Sequence, residues 1–500
     1  MSIDLKANFS SQSGNRPYEL SIDTAYQHID DATWNELLAF AKKAGISEKR
    51  NALFAGAHVN ASENRAALHT ALRNLSNSPV SLDGQDVMPS VKSVWKQMDA
   101  LCNKLVGVTD IIHIGIGGSD FGPRLVCEAL SRCNDANSNA IRVHFLANID
   151  SAELANILSR IQPLSTRIII ASKTFTTLET MQNARAVMNW LKEKGVSESQ
   201  IKKHTYAVTA NTLEAEKFNI PKENIFPFWD WVGGRFSVWS AVGLIIALKF
   251  GFQTFKEFLA GAHALDQHFL NAPLAENHPL LLALTLIHNQ RTFNCKSHAL
   301  IPYAFALASM PHWLQQLDME SNGKRTHLNG TLTNTSSPVI FGSAGANAQH
   351  SFFQMLHQGP EVIPVDFVAV IEPMSQLEVA KQHHRQLLAN CLAQAQALSK
   401  GQASDDPNEV CPGGRPSNLI WVPKLDAFNL GSLLALYEHR TFCLGALWDI
   451  NSFDQPAVEL GKRLAKPIEA ALASPNQSEL INALDDITAQ RVQTIIQHKQ

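Results

Sequence analysis

The chain has 500 residues, 45% of them hydrophobic and 17% charged, and its 42 Lys and Arg against 45 Asp and Glu leave a net charge of -3. That length exceeds what one hydrophobic core usually supports, so two or more α/β lobes are expected. The balanced charge excludes a general attraction to nucleic acid or to an anionic membrane surface, so an anionic ligand must be held by a local site. The seven cysteines, at 102, 127, 133, 295, 391, 411 and 443, include no Cys-x-x-Cys pair. This points to reduced thiols in a cytoplasmic protein, not to a disulfide framework or a zinc cluster. The opening Met1-Ser2-Ile3-Asp4-Leu5-Lys6-Ala7-Asn8 has no basic segment followed by an apolar core, so no secretory signal is expected. The most apolar stretch, Val238 to Leu248, is too short for a bilayer span, which needs about 20 residues.

In chain order, Leu37 to Leu75 reads as helices with polar faces, and Ser76 to Val91, rich in Ser, Asn, Asp and Pro, reads as a loop at a domain boundary. Lys92 to Leu105 reads as helix. Asp110 to Gly118 is a β-branched run ending in glycines, and a helical pattern follows from Phe121 to Ser131. The same alternation recurs with runs at Arg142 to Asn148, Thr166 to Ala171 and His204 to Thr209. Serial strand and helix units require crossover connections, so they predict a parallel sheet with helices on both faces.

After an apolar helix over Val238 to Phe250 the pattern restarts, with strands at Ala299 to Tyr303, Val339 to Phe341, Val365 to Ile371 and Leu419 to Val422. Helices are predicted over Glu378 to Leu398, Leu430 to Leu447 and Pro456 to Leu472, a surface loop over Ser399 to Ser417, and an amphipathic helix over Gln477 to Gln500. The expected fold class is α/β, with two α/β/α lobes, each a mainly parallel sheet flanked by helices. Residues 92–250 form the first, smaller lobe. Residues 1–91 and 251–500 form the larger one, with N-terminal helices and a C-terminal helical tail.

Five stretches carry the chemistry. Gly115-Ile-Gly-Gly118-Ser119-Asp120 fails the dinucleotide spacing, because Asp120 stands where the third glycine belongs. What remains is a glycine loop in which Gly118 and Ser119 bring backbone N–H groups close to a ligand; a plain turn with Ser119 as helix cap is the other reading. Ser172-Lys173-Thr174-Phe175-Thr176-Thr177 gathers four hydroxyls, a cation and a helix start, the ingredients of a phosphate site, although Ser and Thr also cap helices. Gly233-Gly234-Arg235 presents a permanently charged guanidinium from a glycine turn, for a cleft or for a salt bridge between lobes.

Gln316-Leu-Asp-Met-Glu320-Ser-Asn-Gly323 places an isolated carboxylate where a helical pattern breaks, since Asn-Gly favours positive φ. A solvated acid at a helix end would look the same. His350, placed in the first turns of a helix after Gly342 to Ala348, can shuttle protons near neutral pH, although most histidines are structural or exposed. Gln455 and Lys462 flank a helix started by Pro456, and either could equally be a surface residue.

Together these stretches resemble the glucose-6-phosphate isomerase family, through Gly115 to Asp120, Ser172 to Thr177, Gly233 to Ser237, Met319 to Lys324 and Val458 to Lys462 in that order, with Gln349-His350 before His357-Gln358-Gly359. The resemblance implies two sugar-isomerase lobes and reversible conversion of glucose 6-phosphate to fructose 6-phosphate through an enediolate, in glycolysis and gluconeogenesis. It implies no metal or other cofactor, and a homodimer sharing its sites. It assigns Glu320 as the base, Arg235 as the cation for the enediolate, and His350 and Lys462 to ring opening, with His350 acting on the neighbouring subunit's site. Gly118, Ser119, Ser172, Lys173, Thr174 and Thr177 correspond to phosphate and sugar contacts, and Gln316 and Gln455 to polar contacts around the substrate. Pro456-Ala457 and Leu178 depart from the family pattern. A sugar-phosphate sensor without chemistry is the alternative from another class; retention of Glu320, Arg235, His350 and Lys462 together counts against it.

Overall fold

The computed structural model describes residues 16–133, 140–474 and 478–499. The amino-terminal segment, for which no secretory signal is expected, lies outside the described residues through position 15. The chain divides into two compact units, residues 1–453 and 454–500.

In the first unit an edge strand, Ser21–Asp23 (β1), is followed by a two-stranded antiparallel ribbon, Ser81–Leu82 (β2) and Gln85–Asp86 (β3). Asp83 and Gly84 turn that ribbon at φ 51° and 81°, the pair of left-handed residues that a two-residue hairpin requires. Next come Asp110–Ile114 (β4), Arg142–Leu146 (β5), Thr166–Ala171 (β6), Thr205–Thr209 (β7) and Ile225–Pro227 (β8). They form an all-parallel sheet in the order β5-β4-β6-β7-β8.

Its centre is covered on both faces. Ile111, Ile169 and Ala171 face one apolar cluster with the helix Phe121–Leu130, while Ile112, Ile114, Ile168 and Ile170 face another with the helix Leu178–Glu193. These isoleucines are fully buried, each stabilising the sheet by roughly 1.5–3 kcal/mol.

Ser297–Tyr303 (β9), Val339–Gly342 (β10), Val365–Val370 (β11) and Ser417–Val422 (β12) make the second sheet, ordered β1-β12-β11-β9-β10 and parallel except for β1. Both sheets thus wind outward in opposite directions from their first parallel strand. Such a reversal opens a crevice beyond the carboxyl ends of the strands, and in the first sheet it falls between β4 and β6, the strands that feed the glycine loop and the Ser172 loop.

The helix Ala427–Trp448 is buried over its whole length although it carries Glu438, His439, Arg440 and Thr441. Each charge is paired, as burial demands: Glu438 accepts from Arg73 and from Trp239 Nε1 (2.8 Å), His439 meets Asp266 at 2.6 Å, and Arg440 donates to Asp318 at 2.8 Å. Among the described residues no helix is long and apolar enough to cross a membrane, and all seven cysteines are free thiols.

Several expectations need correction. Helix in the amino-terminal region ends at Phe54, with only a 3-10 turn at His69–Arg73, because Ala55 to Ala67 includes Gly56 and a bridged turn from Asn60 to Arg65. The loop expected over 76–91 contains β2 and β3 and the first turn of the helix Met88–Cys102. Val238 to Phe250 begins as a hydrogen-bonded turn and a 3-10 turn, and its helix runs only from Leu244 to Phe250, Ser240 capping the 3-10 turn through Val242 N–H. In the second unit Pro456 and Ala457 precede the helix Val458–Ala473. The tail is two helices, Ser478–Asn482 and Asp486–Lys499, not one, and they pack on the first through Ala471, Ile481 and Val492. Positions 477 and 500 lie outside the described residues.

Candidate active site

The glycine loop leaves β4 and turns through Gly117–Ser119 before the helix at Phe121. Ser119 does not cap that helix by its side chain. Its carbonyl instead accepts from His113 Nε2 at 2.7 Å. Gly118 lies against the arginine turn so closely that an added Cβ would stand 2.1 Å from the Gly234 carbonyl carbon and oxygen. Only glycine allows that approach. The arginine turn, Gly234–Phe236, follows a stacked pair, Trp229 on Trp231, with ring centres 4.9 Å apart.

At the end of β6, Ser172 Oγ accepts from Phe175 N–H at 3.1 Å and lies 3.1 Å from Thr177 Oγ1. Phe175 is buried with φ 57°, a strained backbone for an aromatic residue, of the kind that collects at functional loops. The helix Leu178–Glu193 starts at Thr177 with no side chain capping it, which leaves its first N–H groups for another acceptor. Lys173, expected among the phosphate contacts, is engaged within the chain. Its ammonium donates to the carbonyls of Asp230 (2.7 Å) and Val232 (2.9 Å), tying the hydroxyl loop to the arginine turn. Burial, and then the Arg65 guanidinium, lowers its pKa. Thr174 is exposed and accepts from Thr176 Oγ1 at 2.9 Å.

Glu320 ends a π-helical segment, Gln315–Glu320, that follows β9. Such wide turns are uncommon and concentrate at functional sites. Gln316 Nε2 donates to Glu320 Oε2 at 3.0 Å, and Arg235 Nη1 lies 3.4 Å from the same oxygen. The Gln316 amide also abuts the glycine loop, 3.0 Å from where a Cβ on Gly117 would sit. The Glu320 side chain keeps 25% of its surface exposed while that of Arg235 keeps 2%, so the carboxylate is accessible and the cation sits behind it. Asn322 and Gly323 do not take the left-handed backbone expected for Asn-Gly. The helix runs on through Asn322, and the chain turns because Gly323 N–H donates to Met319 O at 2.9 Å.

A carboxylate and a buried guanidinium therefore meet, and Lys173 ties the hydroxyl loop to the turn that carries the guanidinium. Residues 23–490 match the family model described as phosphoglucose isomerase. The chain belongs to the phosphoglucose isomerase family. It is 46% identical over 486 residues to the glucose-6-phosphate isomerase of Cupriavidus metallidurans, covering 93% of this chain and 89% of that one. It is 44% identical over 500 residues to the Chlorobium phaeobacteroides enzyme of the same name, covering 94% and 88%. A crystal structure of a glucose-6-phosphate isomerase from Chlamydia trachomatis superposes with a TM-score of 0.87 at 31% identity, over 96% of this chain and 92% of that one.

The remaining expected site residues are His350, in the first unit, and Gln455 and Lys462, in the second. His350 is not in the first turns of a helix; it is the exposed residue that ends the short helix Gly345–Gln349, and its ring makes no hydrogen bond among the described residues. Lys462 and Gln455 belong to the second unit. Lys462 is exposed and pairs with Glu459 at 2.8 Å, one helical turn away, and Gln455 is exposed just before the helix Val458–Ala473.

Residues that support the cluster escaped the sequence reading. Asp318, Ser321, Asn322, Arg440, Thr441 and Ser452 are all buried around Arg235 and the π-helical segment. The available signal was the quartet Glu438-His-Arg-Thr441 inside an otherwise apolar helix, since buried charge must have partners elsewhere in the chain.

His113 gives the site a pH dependence of stability. Burial, the largest influence, holds its pKa down to about 4 despite the Ser119 hydrogen bond, with Arg124 adding to the depression. In the unfolded chain its pKa is about 6.5, so between those values the unfolded state binds the proton and the folded state does not. Stability is then present above pH 6.5 and lost as pH falls towards 4, by about 3 kcal/mol at roughly 1.4 kcal/mol per pH unit. The midpoint of thermal unfolding, followed by circular dichroism, is expected to fall across that window; a flat profile would contradict the assignment.

Proposed function

We propose that this chain interconverts D-glucose 6-phosphate and D-fructose 6-phosphate by proton transfer through an enediolate. The observation that carries this reading is Glu320 lying 3.4 Å from a buried Arg235, next to a loop built for a phosphate monoester. The hydroxyls of Ser172, Thr174 and Thr177, with the N–H groups of the helix start and of Gly118 and Ser119, hold the phosphate and the sugar. Lys173 keeps that loop in register with the arginine turn.

With the sugar open, Glu320 removes the C2 proton of the aldehyde. The C–H electron pair becomes the C1–C2 double bond, and the carbonyl pair moves onto O1. Arg235 stabilises that oxyanion, a role suited to a fixed cation in a site with little water. The hydroxyl proton passes from O2 to O1, and Glu320 returns its proton to C1. Gln316 fixes the carboxylate by its hydrogen bond. Ring opening is assigned to His350 and Lys462, and a polar substrate contact to Gln455, on their places in the family's motif order. The same order supports a homodimer in which His350 serves the neighbouring subunit, the lobes 92–250 and 1–91 with 251–500, and a cytoplasmic location.

The test is purified protein with glucose 6-phosphate in heavy water and no added metal. Deuterium is expected at C1 of the fructose 6-phosphate that forms and, by return of the enediolate, at C2 of the recovered glucose 6-phosphate. Binding without exchange or turnover would instead identify the sensor. Thr177→Val removes one hydroxyl from the anion site with little change of shape. It is expected to raise KM for fructose 6-phosphate about tenfold or more, the worth of a hydrogen bond to a charged group, with kcat changed far less. A kcat loss at unchanged KM would move the phosphate elsewhere.

A further inference from the structure

Arg235 is held from three sides. Its Nη1 faces Glu320, its Nε donates to Ser321 Oγ at 2.6 Å and its Nη2 to the Ser452 carbonyl at 2.6 Å. The Ser452 anchor lies in the bend after the buried helix Ala427–Trp448, and one amide fixes it there. Asn322 Oδ1 accepts from Ser452 Oγ at 2.6 Å, while Asn322 Nδ2 donates to the Thr441 carbonyl at 2.8 Å. Asn322 and Thr441 are fully buried, and Ser452 is 3% exposed.

The helix leaves room for this link at Gly445, where an added Cβ would stand 1.9 Å from Ser452 Oγ and 2.8 Å from Asn322 Oδ1. The same stretch of helix grips the π-helical segment, Arg440 and Thr441 both donating to the Asp318 carboxylate. The base and its cation are thus referred to one rigid element by neighbouring residues.

We propose that Asn322 is a positioning residue for Arg235, acting through Ser452, so that the cation stays in register with the Glu320 carboxylate. The inference rests on the role of Arg235 in the proposed isomerisation. Removing the Asn322 amide leaves Arg235 charged and present but lets its Ser452 anchor move. Misplacing a preorganised group by about 1 Å costs up to about 100-fold in rate, and ground-state binding of the phosphate is unaffected because it is made elsewhere.

Asn322→Ala, Ser452→Ala and Gly445→Ala are each expected to lower kcat about ten- to a hundredfold, with KM for fructose 6-phosphate within about twofold of the parent. Gly445→Ala is the diagnostic one, because alanine favours a helix interior and the loss then comes from displacing Ser452. As a control, Ser432→Ala removes a buried hydroxyl from the same helix, where it donates to Gly261 O at 2.8 Å. It is expected to lower the thermal midpoint and leave kcat unchanged.

In an Arg235→Lys background, Asn322→Ala is expected to cost little more, since residues that act through one another are not additive. Parent-like kcat in the folded Asn322 and Ser452 variants, equal kcat loss in Ser432→Ala, or full additivity with Arg235→Lys would each overturn the proposal. If Asn322→Ala does not fold, Ser452→Ala and Gly445→Ala decide it. An inactive parent protein would count against the proposed function itself.

Discussion

Replacing Glu320 with Gln is expected to lower kcat by at least about 100-fold, and up to about 10,000-fold, the range attributable to a positioned general base. Substrate binding is expected to stay within a few-fold of the parent, because the proposed anion site is the loop at the end of β6, not the carboxylate. The substitution keeps the shape of the side chain, which is part-exposed, so the thermal midpoint should move little. Rapid-mixing turnover, paired with equilibrium binding of fructose 6-phosphate, measures both quantities. Parent-like turnover would remove Glu320 from the role of proton carrier and leave the site without a base.

The second large effect is expected at Arg235. Arg235→Met deletes the cation, takes a donor from the Ser452 carbonyl and the Ser321 hydroxyl, and leaves the Glu320 carboxylate with Gln316 but without its charge partner. Loss of one preorganised oxyanion donor lowers kcat by about 100- to 1,000-fold, and breaking a buried charge pair typically destabilises by about 3–5 kcal/mol. Arg235→Lys separates these effects. It restores the charge but cannot reach Glu320, Ser321 and Ser452 together, because a lysine has no planar fork. The expected result is a fold close to the parent in thermal midpoint with kcat still reduced at least tenfold. Full activity in Arg235→Lys would show that charge alone suffices and that the hydrogen-bonded placement of the guanidinium does not matter.

The two sheets were legible residue by residue where strands are wholly buried. The run from Thr166 to Ala171 is rich in β-branched residues, with Ile168, Ile169 and Ile170 buried on the two covered faces of β6, and its predicted limits coincide with the observed strand. Short edge strands gave no such signal. With three residues each, β1 and β8 owe their existence to the neighbour they pair with. The hairpin at Asp83-Gly84 did carry its usual turn signature, and the polar composition around it masked the signature. The helices Phe252–Asn271 and His278–Phe293, absent from the sequence reading, are largely buried. Burial over most of a helix surface weakens the polar stripe by which amphipathic helices are recognised.

Glu320 and Arg235 were each singled out from sequence, but their meeting was not. They are 85 residues apart, and no local pattern brings them within 3.4 Å. Lys173 shows another case, a residue singled out from sequence whose contacts within the chain were not. A cation beside hydroxyls reads as a phosphate ligand, yet the carbonyls of Asp230 and Val232 claim its ammonium.

By itself the sequence determined the α/β class and the family through its ordered motifs, and it singled out the residues proposed for the site, because strand burial and glycine turns are imposed by near neighbours along the chain. Only the tertiary structure decided the rest: the reversal of strand order between β4 and β6, the seating of Gly118 on the Gly234 carbonyl, and the route from Thr441 through Asn322 and Ser452 to Arg235. Those depend on distances between segments far apart in the chain, and such distances are set when sheets and helices pack.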